Sequence, residues 1–196
     1  MGRGPRASAR QEVYDALRRR IVTLDLLPGS SLSENELAAD HPVSRTPIRE
    51  ALVLLVDEGL VQVFPRVGSF VSRISLGDVA EAQFLRSSVE LGSLASLRYP
   101  LDPAVVDAIE ANLRLQETVL DDVAAFFTLD EGYHEGLMAL GGHRASWRVV
   151  SRAKAHLDRA RALGLRDVSS TDQLLGDHRH VFDRVLAHDI AAASER

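Results

Sequence analysis

Residues 42–52 read PVSRTPIREAL, and the first half of the fold turns on this stretch. Arg45 and Arg49 stand four positions apart, just after Ser44, a residue type that caps helices, with Pro47 between them. On a helix, residues at i and i+4 share a face. The spacing therefore predicts two guanidinium groups side by side at the N-terminal end of a short helix. Ile48, Leu52 and Leu55 make the opposite, apolar stripe. Pro47 falls in the first turn, where a missing N–H costs little, and Gly59 is placed to end the helix.

The flanks fit around this helix. Val13, Leu17, Ile21 and Leu24 recur at helical spacing, and that helix must stop before Pro28-Gly29. Ser33 followed by Glu36 is a capping box that opens a short second helix over SENELAAD. Beyond Gly59, LVQVF (60–64) and SFVSR (69–73) are β-branched and aromatic runs around PRVG, which predicts a two-stranded hairpin with a tight turn. Three helices and a hairpin within about 65 residues form a winged helix-turn-helix.

That arrangement gives the arginines a use. The N-terminal end of the third helix would enter the major groove of double-stranded DNA, where arginine grips guanine O6 and N7 through two hydrogen bonds. Ser44 and Thr46 would reach phosphates or base edges, favoured by the positive end of the helix dipole. Ser33, at the start of the second helix, joins this DNA-contacting set. Arg66 and Gly68, in the hairpin turn, would follow the backbone into the neighbouring minor groove. The ordinary alternative is a solvated face with surface arginines. The cap, the preceding helix and the hairpin together favour DNA.

Composition sets the outer bounds. The chain has 196 residues, 45% hydrophobic and 26% charged, with no cysteine, so neither a disulfide framework nor a thiolate metal site is available and a cytoplasmic setting is expected. No apolar run approaches the roughly 20 residues needed to span a bilayer, so no membrane partner is expected. MGRGPRASAR is basic, but no hydrophobic region follows it, so it does not read as a secretory signal. Residues 1–75 hold ten arginines against nine acidic residues, whereas 76–196 hold 13 basic against 19 acidic ones. A weakly basic first third on an acidic remainder fits two modules with different partners.

From about residue 76 the sequence reads as all helix, with breaks at Tyr99-Pro100, Asp121-Asp122, Gly141-Gly142, 164–170 and His188-Asp189. Asp102-Pro103 is a cap followed by proline at the first helical position. Long helices on short loops predict an antiparallel bundle. Three features stand out inside it. Asp130 and His134 share a helix face with Leu137 and Met138. His178 lies in the stripe Leu174, His178, Val181, Val185 and so points at the core. Arg86 interrupts the stripe Val79, Ala82, Val89. A carboxylate and imidazoles converging in a bundle suit a divalent cation. The plainer alternatives are a surface pair, a core histidine bonded to backbone, and an Arg86–Glu90 pair one turn apart.

The run LSENELAADHPVSRTPIREALVLLVDEGLVQVFPRVGSFV, residues 32–71, resembles the DNA-binding domain of the GntR family of bacterial transcription regulators. In such regulators the arginines matching Arg45 and Arg49 touch operator bases or phosphates, and the wing glycine approaches the backbone. Two departures bear on the operator: Asn35 stands where the family often has arginine, and His41-Pro42 replaces the usual leucine-glycine. Further on, FLRSSVE (84–90), LDEGYHEGLMAL (129–140) and GDHRHVFDRVLAHD (176–189) are similar to the FCD ligand-sensing domain of the FadR-like branch. The resemblance implies that Asp130, His134 and His178 bind a metal and that Arg86 faces the cavity, suited to a bidentate grip on a carboxylate effector. The family's last histidine would fall just past Arg196, so DIAAASER reads as the opening of an incomplete final helix. Neither His180, off the stripe, nor His188, at a frayed helix end, substitutes well for it.

The expectation is therefore a mostly α protein. Residues 1–75 form a winged helix-turn-helix with a basic N-terminal extension, and 76–196 form an all-α FCD-type sensor. It would bind an inverted-repeat operator as a homodimeric repressor and sense a small carboxylate through zinc, nickel or manganese. A metal-dependent hydrolase using Asp130, His134 and His178 is the alternative, although no general base or nucleophile motif accompanies them. A purely architectural DNA binder would leave the histidine cluster without a role.

Overall fold

The computed structural model describes residues 8–40, 43–164 and 168–194. The chain divides into two compact units, Met1–Ala80 with Ala155–Ala162, and Glu81–Lys154 with Leu163–Arg196. The turn expected at His41-Pro42 and the N-terminal extension before Ser8 lie outside the described residues.

In the first unit, α1 (Ala9–Val22), α2 (Glu34–Asp40) and α3 (Arg45–Asp57) pack around Leu17, Ile21, Ile48, Leu52 and Leu55. Each such side chain contributes roughly 1.5–3 kcal/mol by leaving water. Ser8 caps α1 by accepting from the Gln11 N–H at 3.3 Å. Helix α1 ends at Val22, and Leu24, read as the last residue of its stripe, has left the helix with φ 65°. At the end of α3, Gly59 takes φ 71°. The Gly59 N–H reaches the Val56 carbonyl and the Leu60 N–H reaches the Leu55 carbonyl, both at 2.9 Å. That is a Schellman ending, and only the left-handed residue makes it possible.

The predicted hairpin forms as β2 (Val61–Phe64) and β3 (Gly68–Val71), antiparallel, with Val61 opposite Val71 and Phe64 opposite Gly68. A third strand, β1 (Ser31–Leu32), pairs with the other edge of β3. This corrects the two-stranded expectation. Gly29, at φ 87°, turns the chain so that its N–H bonds the Val71 carbonyl at 2.8 Å. Two residues are too few to display strand alternation in a sequence. Helix α8 (Ala155–Gly164) also contributes to this unit: Ala155 joins its core, and the buried Arg159 guanidinium donates to the Ser72 carbonyl.

The second unit is all helix: most of α4 (Leu76–Ala95), then α5 (Pro103–Glu117), α6 (Val123–Leu140), α7 (Trp147–Ala153), α9 (Val168–Leu186) and α10 (Ile190–Ala193). The predicted cap is present, Asp102 accepting from the Ala104 N–H at 2.9 Å, and at the predicted Asp121-Asp122 break Asp122 accepts from the Ala125 N–H at 3.0 Å. The region after Gly142 was expected to be one long helix. It is instead a 3-10 turn (Arg144–Ser146), α7 and α8, with the break at Lys154. Helix α6 carries two glycines on the side facing α5. A Cβ at Gly136 would come within 2.7 Å of Ile109 Cγ1, and one at Gly132 within 2.9 Å of Asn112 Nδ2. The missing side chains are what let α5 approach, and the shared core of Ile109, Leu113, Phe126, Leu137, Leu175 and Phe182 fills the rest. No described helix is long and apolar enough to cross a membrane.

Candidate functional site

Each unit carries a cluster of the polar side chains that the sequence singles out. The first lies at the N-terminal end of α3. Ser44 occupies the N-cap with extended backbone, but its hydroxyl makes no capping bond, which corrects the expected cap. Pro47 sits at the third helical position, one of the four whose N–H has no partner within the helix. Arg45, Thr46 and Arg49 are all exposed. Arg49 Nε lies 2.9 and 2.8 Å from the two carboxylate oxygens of Glu34 at the start of α2. No local signal marks this pair, since its members are 15 residues apart on different helices. The Ser33 hydroxyl accepts from the Glu36 N–H at a long 3.5 Å, so the capping box is only loosely made.

In the wing, the Val67 N–H bonds the Phe64 carbonyl at 3.0 Å, with Pro65 and Arg66 at the corners. Arg66 takes φ 65°, a position where type II turns normally want glycine and where an L side chain costs roughly 1–2 kcal/mol. Gly68 follows at φ 142°. The turn holds the Arg66 side chain, which is exposed, out at the tip.

The second cluster is buried in the helical unit. Asp130 and His134 come from α6 and His178 from α9, and one ligand atom from each lies within 4.8 Å of the others. Asp130 is 1% exposed and His178 5%. Asp130 Oδ1 is 3.3 Å from His178 Nε2 and 3.6 Å from His134 Nε2. Around them, Tyr133 stacks on His178 at 4.2 Å and donates its hydroxyl to the His178 carbonyl at 2.8 Å. Trp147 lies parallel to His134 at 6.2 Å.

Arg86, on α4, is buried and joins this cluster. Its Nε donates to Glu90 at 2.8 Å and its Nη2 contacts His134 Nε2. A guanidinium has only donors, so His134 Nε2 is the acceptor and Nδ1 carries the proton it donates to Glu90 Oε2 at 2.9 Å. Both readings of Arg86 offered by the sequence are therefore present together, the pair with Glu90 and the position beside the metal-type ligands. Burial alone would push the Glu90 carboxyl up, but His134 and Arg86 outweigh it and hold it at about 2. Burial keeps His178 below the usual imidazole range, with Asp130 only partly offsetting it. A neutral imidazole is the form that ligates a metal.

The donor set fits a divalent cation: one carboxylate and two imidazoles, largely buried, with their ligand atoms within 4.8 Å of one another. His134 is backed by a carboxylate, the outer contact expected of a metal-bound histidine. His180 is half-buried on α9, and His188 stacks on Tyr99 at 3.5 Å; neither belongs to the cluster. Sequence reasoning had Glu90 only as a partner of Arg86, and it missed Trp147, Gln116, whose Oε1 lies 2.9 Å from His178 Nδ1, and Asn112, whose Oδ1 accepts from Gln116 Nε2 at 2.7 Å. FLRSSVE placed Glu90 one turn from Arg86, which was a usable signal. Nothing in the local sequence marked the other three.

The profile of the bacterial regulatory proteins of the gntR family matches residues 9–71, and that of the FCD domain matches residues 81–196. The chain is 53% identical to an uncharacterized HTH-type transcriptional regulator in an unstable DNA locus of Streptomyces ambofaciens, over 94% of this chain and 78% of that protein. It is 31% identical to the HTH-type transcriptional repressor RspR of Escherichia coli K12, over 94% and 82% of the two chains. Among solved structures, E. coli McbR/YncC shares the fold at a TM-score of 0.82 and 16% identity, over 96% of this chain and 91% of that one. A putative GntR regulator from Rhodococcus sp. RHA1 does so at 0.80 and 23%, with the same coverage.

Proposed function

We propose, for a chain that belongs to the GntR family of bacterial regulatory proteins and carries an FCD domain, the role of a repressor that reads a small carboxylate through a protein-bound divalent metal. That it is a transcription regulator and not an enzyme follows from the family and from its relatives, and the hydrolase alternative is set aside on that ground. GntR regulators bind DNA. The functional division is taken at residues 75/76, just before α4, with residues 1–75 as the DNA-binding module and 76–196 as the sensor.

On this reading Arg45 and Arg49 meet base edges in the major groove, Ser33, Ser44 and Thr46 meet phosphates or base edges, and Arg66 and Gly68 follow the backbone at the minor groove. The protein acts as a homodimer on an inverted repeat, two copies of α3 entering successive major grooves. Repression is favoured by the name of the RspR relative.

The observation that carries the sensor reading is the convergence of Asp130, His134 and His178 in a largely buried site with the buried Arg86 beside them. Those three residues would hold zinc, nickel or manganese. A bound cation would supply a Lewis-acidic point for carboxylate oxygens, while Arg86 offers a planar fork to the same group. A carboxylate that binds one arrangement of the protein more tightly than another shifts the balance toward it, and operator affinity changes by the same coupling.

The test is fluorescence anisotropy of a labelled operator duplex with nickel-loaded protein, titrated with a panel of small carboxylic acids. One acid should change operator affinity in wild type and have no effect in Asp130→Ala. Unchanged operator binding across the panel, or an equal response in Asp130→Ala, would reject the metal-dependent sensor.

A further inference from the structure

We infer that Asn112 and Gln116 form a one-way amide relay that fixes which nitrogen of His178 faces Asp130, making Gln116 a positioning residue of the cluster. The inference rests on the reading of Asp130, His134 and His178 as a metal site. The relay itself can be judged without any metal.

The relay starts from a group that can only accept. The Leu129 backbone carbonyl receives a hydrogen bond from Asn112 Nδ2 at 3.0 Å, so the Asn112 amide is oriented with Oδ1 toward Gln116. Gln116 Nε2 donates to that oxygen at 2.7 Å. The remaining Gln116 atom, Oε1, lies 2.9 Å from His178 Nδ1. An amide oxygen cannot donate, so the imidazole proton must be on Nδ1. His178 Nε2 is then a bare lone pair, and it faces Asp130 Oδ1 at 3.3 Å. Reversing the relay would set the Asn112 oxygen against the Leu129 carbonyl, two acceptors with no proton between them. Gln116 is fully buried, so water cannot exchange for its bond to His178 at low cost.

The consequence is a meeting of acceptors. With the proton held on Nδ1, the histidine nitrogen and the aspartate oxygen oppose each other across a gap that a cation resolves and that a second proton tautomer would otherwise close. His134 shows the same tautomer, imposed there by Arg86 and Glu90. The two histidines are thus held by different devices: a charged carboxylate behind His134 and a neutral, polarity-set amide behind His178. Helix packing places the second device. Asn112 Nδ2 lies 2.9 Å from where a Gly132 Cβ would stand, so the relay exists because α6 lacks a side chain there.

Removing an outer partner of this kind lowers metal affinity by about 10–100-fold. The experiment titrates nickel into the metal-stripped full chain by calorimetry, for wild type, Gln116→Leu, Gln116→Glu, Asn112→Leu and Asp130→Ala. Nitrogen-15 NMR of the metal-free proteins reads the His178 tautomer in parallel. Wild type should show His178 protonated on Nδ1. Gln116→Leu and Asn112→Leu should lose that tautomer preference and bind nickel about 10–100-fold more weakly. Gln116→Glu, which keeps an acceptor toward Nδ1, should bind within a few-fold of wild type or tighter; a merely space-filling role predicts that it weakens as Gln116→Leu does. A wild-type His178 protonated on Nε2 would overturn the inference, as would a Gln116→Leu affinity equal to wild type or a Gln116→Glu loss matching that of Gln116→Leu. Should wild type and Asp130→Ala alike fail to bind nickel, the metal reading falls, and the tautomer measurement still decides the relay.

Discussion

Arg49 is gripped by both oxygens of Glu34, so at an operator it would exchange one anion for another. Specific binding should therefore fail in Arg49→Ala and Arg45→Ala, each base contact being worth about 1–3 kcal/mol and counted twice in a two-fold dimer. Glu34→Gln should do the reverse, raising affinity for any duplex and steepening its salt dependence as one more cation becomes available to phosphate. Gel shifts at two salt concentrations check both, and unchanged binding in the arginine variants would remove α3 as the reading helix. In the sensor, Arg86→Leu should abolish the carboxylate response while operator binding survives. Arg86→Lys keeps the charge without the fork and should recover only part of the response in the same anisotropy assay. At this scale the sequence was informative where partners share one helix. Asp130 and His134 are one turn apart, as are Arg86 and Glu90, and both pairings were readable. Gln116 and His178 are 62 residues apart, and a neutral glutamine in a helix carries no mark of burial.

Among the elements, the end of α3 and the start of α8 illustrate what packing adds to propensity. Gly59 is in the left-handed region, and a Cβ there would stand 3.3 Å from His156 Nε2. Gly59→Ala should cost about 1–2 kcal/mol for the left-handed backbone alone, seen as a lowered melting temperature with an unchanged far-ultraviolet spectrum. His156 is buried, and burial, then Arg159, push its pKa down against Asp78 and Gly59. A histidine depressed in the folded state contributes stability that is full above its unfolded value of about 6.5 and is lost as pH falls below it. Stability should thus decline as pH falls below about 6.5, and less steeply in His156→Gln. Denaturant melts across that range would show it, and equal slopes would contradict it. The helices of the winged module were legible from stripes, caps and Pro-Gly signals. Strand β1 was not, because two residues carry no period. The break between α7 and α8 was not legible either, because Ala153-Lys154-Ala155 contains no glycine or proline. It is set by tertiary contacts, with Lys154 buried and paired to Glu131 and Ala155 in another core.

For the whole molecule, the division of charge suggests two kinds of partner; one unit carries exposed arginines and a wing, the other a largely buried cluster of ionisable side chains. Apart from β1 and the α7–α8 break, the order of elements could be read from sequence because each unit is built from local signals. That α8 packs with the first unit could not, since it depends on contacts such as Arg159 with Ser72, 87 residues apart. A metal bound only by the folded state adds stability by mass action, about 2.7 kcal/mol at a hundredfold excess over its dissociation constant. The most direct measurement of the account is native mass spectrometry of the full chain after nickel or zinc loading and desalting, wild type beside His178→Ala. Wild type should carry one divalent ion per chain and His178→Ala none. A wild-type chain that retains no metal, or a His178→Ala chain that retains as much, would contradict the claim that Asp130, His134 and His178 are the sensor's metal site.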